Sequence, residues 1–424
     1  MAEKTSIALR NLFFYQVFVR QFSETHDFHG LIKQLDRLKS LNIDVIQLLP
    51  IHPIGQLKRK GTVGSPYSIS DYYEINPDLG TLDDFTLLLA ESHKRGMKVI
   101  IDIVFNHTSH DAKYTKTHPH WYYHKADGSF ANRVGDWWDI IDFNFENNEA
   151  LEKELINVLI YWTKIGVDGF RCDVAPLLPL RFWKKARQEL ETVNPNLIYV
   201  SESVHLSFIK YLRDLAYDAF SDSEIFQVFD VCYDYDIFDD FQNYFQGKGK
   251  LKTWITSLIR QESSYPKNYV KLRYLENHDM ERLAKYLKTD SQLRTVNAML
   301  FFLKGIPFIY NGQECGAHNR PDLFEIDEID WQDYNRAGIV DIIKKVGALR
   351  KQWEFVNWKM EINQYNSDTM EIKYTNKTKT IVGIFNLGAK PRPTKLQYAG
   401  INQITGEPIK RGTQVISEPI IVVI

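Results

Sequence analysis

Short apolar runs alternate with helix-period segments along most of this chain. FFYQVFV (13–19), DVIQLLPI (44–51), MKVIIDIVF (97–105) and GIPFIY (305–310) are nearly unbroken apolar stretches, the pattern of strands covered on both faces. GVDGFRC (166–172), LIYVSES (197–203), QVFDVCYD (227–234) and VKLRYLENHD (270–279) bring the predicted strands to eight. HGLIKQLDRLKSL places Leu31, Leu35, Leu38 and Leu41 on one helical stripe. LDDFTLLLAESHKRG (82–96) reads as a helix ended by Gly96, and further helices are predicted at 148–164, 180–193, 291–303 and 337–350.

Strands and helices in this order imply a parallel sheet, and at this length an α/β fold closed as a (β/α)8 TIM barrel. Segments 52–81 and 107–147 are too long for plain connections, and loops of that length are usually functional. After residue 353 the helical pattern stops. TMEIKYT, TIVGIFNL and TQVISEPIIVVI alternate or run apolar with no helix between them. The expected layout is a barrel over 1–352, interrupted by a short insertion at 107–147, with a β-sandwich-like antiparallel domain at 353–424.

Composition narrows the function. The net charge of −2 over 424 residues provides no basic excess to hold phosphates, which argues against a nucleic-acid partner. No run approaches the roughly 18 apolar residues that cross a bilayer, so no membrane partner is expected. The first residues carry no apolar core of a secretory signal, and the three cysteines (Cys172, Cys232, Cys315) fit neither a metal spacing nor a disulfide framework. Buried thiols in a reducing compartment, hence a cytoplasmic protein, are the expectation. The sequence carries no signal for an oligomeric state. Aromatic residues make up 13% of the chain, and aromatic rings stack on the C–H faces of sugars.

Active sites of such barrels lie at the C-terminal strand ends. There the third strand carries Asp102, Asn106 and His107; the fourth, Arg171 and Asp173; the fifth, Glu202; the seventh, Asn277, His278 and Asp279. Alternate strand residues share a face, so Arg171 and Asp173 emerge side by side. A single strand-end Asp is more often a cap or rim ion pair. Carboxylates from three strands converging on one face are harder to explain that way.

The blocks DIVFNH (102–107), GFRCD (169–173), ESV (202–204) and ENHD (276–279), in this order, resemble the α-amylase family of retaining glycoside hydrolases. GSPYSISDYYEINPDLGT (64–81) and GIPFIYNGQECG (305–316) extend the resemblance over nearly the whole chain. It implies cleavage of α-1,4-linked glucose oligomers by double displacement, with Asp173 as nucleophile, Glu202 as general acid/base and Asp279 gripping sugar hydroxyls. Arg171 would keep Asp173 charged, because a neighbouring cation lowers a carboxyl pKa. His107 and His278 would donate to the glucosyl ring, Tyr67 would stack beneath it, and Asp102 would be structural. No cofactor is implied for catalysis. Asn106 matches a calcium ligand of the family, which admits a structural calcium ion there, although the short insertion leaves the other ligands unidentified.

Pro176-Leu177 stands where many starch-cleaving members have Lys-His, and Ser201 precedes Glu202 in place of the common Gly. A glucanotransferase or isomerase would use the same residues, a non-catalytic sugar-binding homologue would keep the fold, and a metal-dependent amidohydrolase would share the barrel. His107, His110, His118, His120 and His124 lack a zinc or iron spacing, so no catalytic metal is expected. Trp121-Tyr122-Tyr123 and Trp137-Trp138 read equally as sugar platforms or as packing of the insertion.

Overall fold

The structure, a computed structural model, describes residues 4–424. Eight parallel strands close into a barrel: Phe14–Val17, Val45–Leu48, Lys98–Ile103, Gly169–Cys172, Ile198–Ser201, Val231–Tyr233, Lys271–Tyr274 and Ile306–Tyr310. Each pairs with its sequence neighbours, and the eighth closes on the first. All eight predicted strands are present. Register does chemical work here, because Asp102 on the third strand is the Cα partner of Arg171 on the fourth. Gly169 opens the fourth strand because any Cβ there would lie 2.2 Å from the carbonyl oxygen of Ile198.

The helix predicted over HGLIKQLDRLKSL (29–41) is broken into Phe28–Ile32 and Leu35–Ser40, yet all four stripe leucines are fully buried. Gly30 weakens the first piece and is held against Ser23, whose Oγ would lie 1.9 Å from an added Cβ. The helix Leu82–Lys94 starts at a Thr81–Asp84 capping box and ends before Gly96 at φ +69°. The strand expected at 227–234 shrinks to Val231–Tyr233. Its apolar start (Val228, Phe229) is buried as a turn after the short helix Asp222–Ile225. Helices Leu206–Asp214, Tyr235–Phe245 and Leu251–Ser264 were not expected from the periodicity.

The insertion returns to the barrel quickly. His107–Ser109 pairs antiparallel with Ile140–Asp142, so His107 stands opposite Asp142. After the helix Ile339–Trp353 the chain forms antiparallel sheets, the largest from Lys359–Gln364, Thr369–Thr375, Thr380–Asn386 and Ile420–Val423. Phe302, Phe355, Tyr374 and Phe385 interlock where this sheet meets the barrel. Among the described residues no helix is long and apolar enough to cross a membrane.

Candidate active site

Arg171 is the hub. Its side chain is fully buried, and Nη1 donates to both oxygens of Asp102 at 2.7 Å and to Oδ1 of Asp173 at 2.8 Å. Its Nη2 lies 2.5 Å from Oε1 of Glu202, although the hydrogen is not aligned on that oxygen. Oε2 of Glu202 accepts from the backbone N–H of Val174 at 2.8 Å. Val174 is a β-branched residue at φ +35°, a left-handed conformation such residues rarely adopt. That turn aims the amide after Asp173 at Glu202.

The opposite wall comes from the seventh strand and the first long loop. Tyr67 donates its hydroxyl to Asp102 at 3.0 Å and lies 2.7 Å from Nε2 of His278, and the two rings stack at 17°. His278 pairs with Asp279 at 3.1 Å. Asp279 is the open one of the three carboxylates, its side chain 41% exposed. Its loop is held by Asn277, whose Oδ1 accepts from the Asp279 amide, and by Glu276, which accepts from Arg282 and from the amide of Leu283.

The electrostatics show how Arg171 acts on Asp173. Burial raises Asp173 to about 6 and Asp102 to about 6, with Arg171 the strongest opposing influence. Arg171 therefore limits a rise; it does not bring Asp173 below the usual carboxylate range. Burial raises Glu202 further, to about 8, again against Arg171. Although desolvation in the cleft opposes it, His278 holds Asp279 below its usual range. Near pH 7 Asp173 is thus mostly ionised while Glu202 keeps its proton, the split an acid–nucleophile pair requires. Burial lowers His107 to about 4, so it is a neutral imidazole. Nδ2 of Asn106 lies 3.1 Å from its Nδ1; an amide nitrogen only donates, which leaves the ring proton on Nε2.

Tyr67, His107, Asp173, Glu202 and Asp279 line one cavity of about 420 Å³. The structure brings together every sequence-predicted site residue, with Arg171, His278 and Asn106 directly behind that wall. Lys60, Asp139, Arg320 and Phe324 also line the cavity and were missed. Lys60 joins Asp139 at 2.7 Å across the two long loops, and Lys60 lies 5.2 Å from the centre of the Trp138 ring. A charge beside the Trp pair was the only sequence signal for it. The aromatic clusters divide. Trp121 and Tyr122 are core, whereas Trp137 faces the cavity and Trp138 is half exposed. Among the described residues no group of three or more His, Cys, Asp or Glu could hold a metal.

Asn106 has a fixed partner where the resemblance admits a calcium ion. It lies beside the cavity wall, and its Oδ1 accepts from Nη2 of Arg133, a guanidinium that also binds Asp142 through Nε at 3.0 Å. The Asn106 oxygen that would face a calcium ion already faces a fixed cation, which also holds the neighbouring Asp142 carboxylate. The residues present do not fit the metal.

Fold and site together define a barrel enzyme acting on glycosidic bonds. The model of the α-amylase catalytic domain matches residues 16–137 and 116–377, and the chain belongs to the α-amylase family. An alpha-amylase structure from Lactobacillus plantarum is 37% identical with TM-score 0.90, covering 99% of this chain and 100% of that one. A maltogenic alpha-amylase, AmyB, from Thermotoga neapolitana is 31% identical with TM-score 0.87, covering 98% and 99%. An alpha-1,4-glucan:maltose-1-phosphate maltosyltransferase from Picrophilus torridus is 29% identical over 405 residues, which span 88% of this chain and 60% of that longer protein.

Proposed function

We propose that this chain is a retaining α-glucan hydrolase that cleaves α-1,4-glucosidic bonds of maltodextrins. The observation that carries the reading is one guanidinium touching two carboxyls, Asp173 and Glu202, whose affinities for protons differ. Retaining chemistry uses carboxyls about 5–5.5 Å apart, closer than the inverting pair, and contact with opposite ends of one guanidinium favours the close arrangement. Asp173 attacks the anomeric carbon while Glu202 protonates the departing glycosidic oxygen. With Oε2 held by Val174, Oε1 is left to carry that proton, and its contact with Arg171 relaxes as it does. Glu202, now a carboxylate, then takes a proton from the water that releases the sugar from Asp173. Asp279 and His278 hold hydroxyls of the reacting glucosyl unit, and Tyr67 and His107 flank it. The proposed setting is the cytoplasm, supported by three buried, unpaired thiols.

A second reading, transfer to a sugar acceptor, is favoured by Pro176-Leu177, which puts apolar residues where an acceptor-side Lys-His is common, and by the maltosyltransferase relative. Maltoheptaose digestion with rising glucose as acceptor separates the two. A hydrolase gains reducing ends and yields only shorter chains. A transferase yields longer chains with little net gain of reducing ends.

A further inference from the structure

The strongest unassigned feature lies beside the cavity, where the insertion meets the barrel. Three oxygens from three segments converge on the side chain of Arg133: Oδ1 of Asn106 after the third strand, the Asp142 carboxylate in the insertion hairpin, and the main-chain oxygen of Leu177 after the fourth strand, the last at a long 3.5 Å. Asp142 is almost wholly buried, its side chain 1% exposed, and it also accepts from the Arg133 amide at 2.8 Å. The rings of Tyr123 and Tyr217 lie 5.5 and 5.8 Å from the guanidinium carbon. An amide oxygen, a carboxylate and a main-chain carbonyl are hard ligands of the kind that hold calcium. A buried carboxylate among them needs a positive charge in either case.

We propose that the Arg133 guanidinium is a built-in replacement for a structural cation, so that the insertion is fastened to the barrel without a metal, and that removing this side chain opens a calcium site. A planar fork suits this place because it reaches separate oxygens at once. It also fixes the Asn106 amide, whose Nδ2 then faces His107. The proposal does not depend on which glycosyl transfer the enzyme performs.

The test is thermal melting of full-length protein stripped with EDTA, in EDTA and across a calcium series, with magnesium as a control. The wild type is expected to melt within about 1 °C in all conditions. Arg133→Ala is expected to melt lower and to regain about 3–5 °C as calcium saturates the opened site, with a smaller response to magnesium. Adding Asn106→Ala to that variant should abolish the gain. Arg133→Lys, which keeps a cation in place, should fold and ignore calcium. If Arg133→Ala folds only with calcium present, the proposal is supported. A wild type that EDTA destabilises and calcium restores would overturn it. So would a folded Arg133→Ala protein indifferent to calcium, or one that fails to fold in either condition.

Discussion

Nη1 of Arg171 donates to Oδ1 of Asp173 at 2.8 Å while sharing itself with both oxygens of Asp102. One buried nitrogen thus serves two carboxylates, and Asp173 receives only part of the stabilisation a dedicated partner would give. Burial, only partly offset by that shared donor, raises Asp173 to about 6. Arg171→Lys retains the charge but loses the fork, and an ammonium cannot span Asp102, Asp173 and Glu202 together. A fall in kcat/KM of about tenfold or more is expected, with the acid limb of the pH profile moved upward as Asp173 loses its bond. Unchanged activity and an unmoved limb would make Arg171 a structural ion pair only.

The pH profile itself follows from the two carboxyls. Activity needs Asp173 ionised and Glu202 protonated, so kcat/KM on a maltodextrin should be bell-shaped, with limbs near the values of about 6 and about 8. The limbs belong to the coupled pair and its neighbours, so they are read as macroscopic values. A profile flat from pH 5 to 9 would contradict the assignment.

Stability should depend on pH through the same acid. Glu202 is raised from 4.5 to about 8 in the fold, so the folded state holds its proton where the unfolded chain has lost it. Its contribution is therefore fully present below 4.5 and is lost as pH rises through about 8. Glu202→Gln keeps the neutral shape and escapes that loss. The variant should melt about 2–5 °C above the wild type at pH 9, with the gap nearly closed at pH 5. Calorimetry at the two pH values checks the sign.

Much of this site was legible in the sequence because several of its polar residues follow closely on predicted strands. Asp173 and Glu202 each come one residue past a strand, and His278 and Asp279 shortly after another, so locating the strands located the chemistry. The helix Tyr235–Phe245 carried its own stripe in Ile237, Phe238 and Phe241, but the apolar run at 227–234 overshadows it. Arg133 was not legible, since its partners at positions 106, 142 and 177 meet only once the insertion hairpin forms. Nor was the raised Asp173, because adjacency to Arg171 is a local fact whereas burial depends on the whole barrel.

Tyr67 tests the wall that holds Asp102. Its hydroxyl serves Asp102 and approaches His278, and both partners are buried. Tyr67→Phe keeps the ring and leaves those groups short of a bond, which costs about 1–3 kcal/mol. Activity should fall about tenfold, and the melting temperature should drop by a few degrees. Wild-type kinetics in that variant would remove the hydroxyl from the account.

The central claim is that Asp173 forms a covalent bond to the sugar and Glu202 manages the proton. An aryl maltooside with an acidic phenol leaves without help, so its first step needs Asp173 but not the proton of Glu202. Hydrolysis of the intermediate needs Glu202 as base. Intact-mass measurement of Glu202→Gln after mixing with that substrate tests the claim most directly, beside Asp173→Asn and with both variants melting close to the wild type. A burst of phenol with a glycosyl adduct mapped to Asp173 is predicted for the Gln variant, and neither burst nor adduct for the Asn variant. A burst from the Asn variant, or an adduct on another carboxylate, would contradict the account.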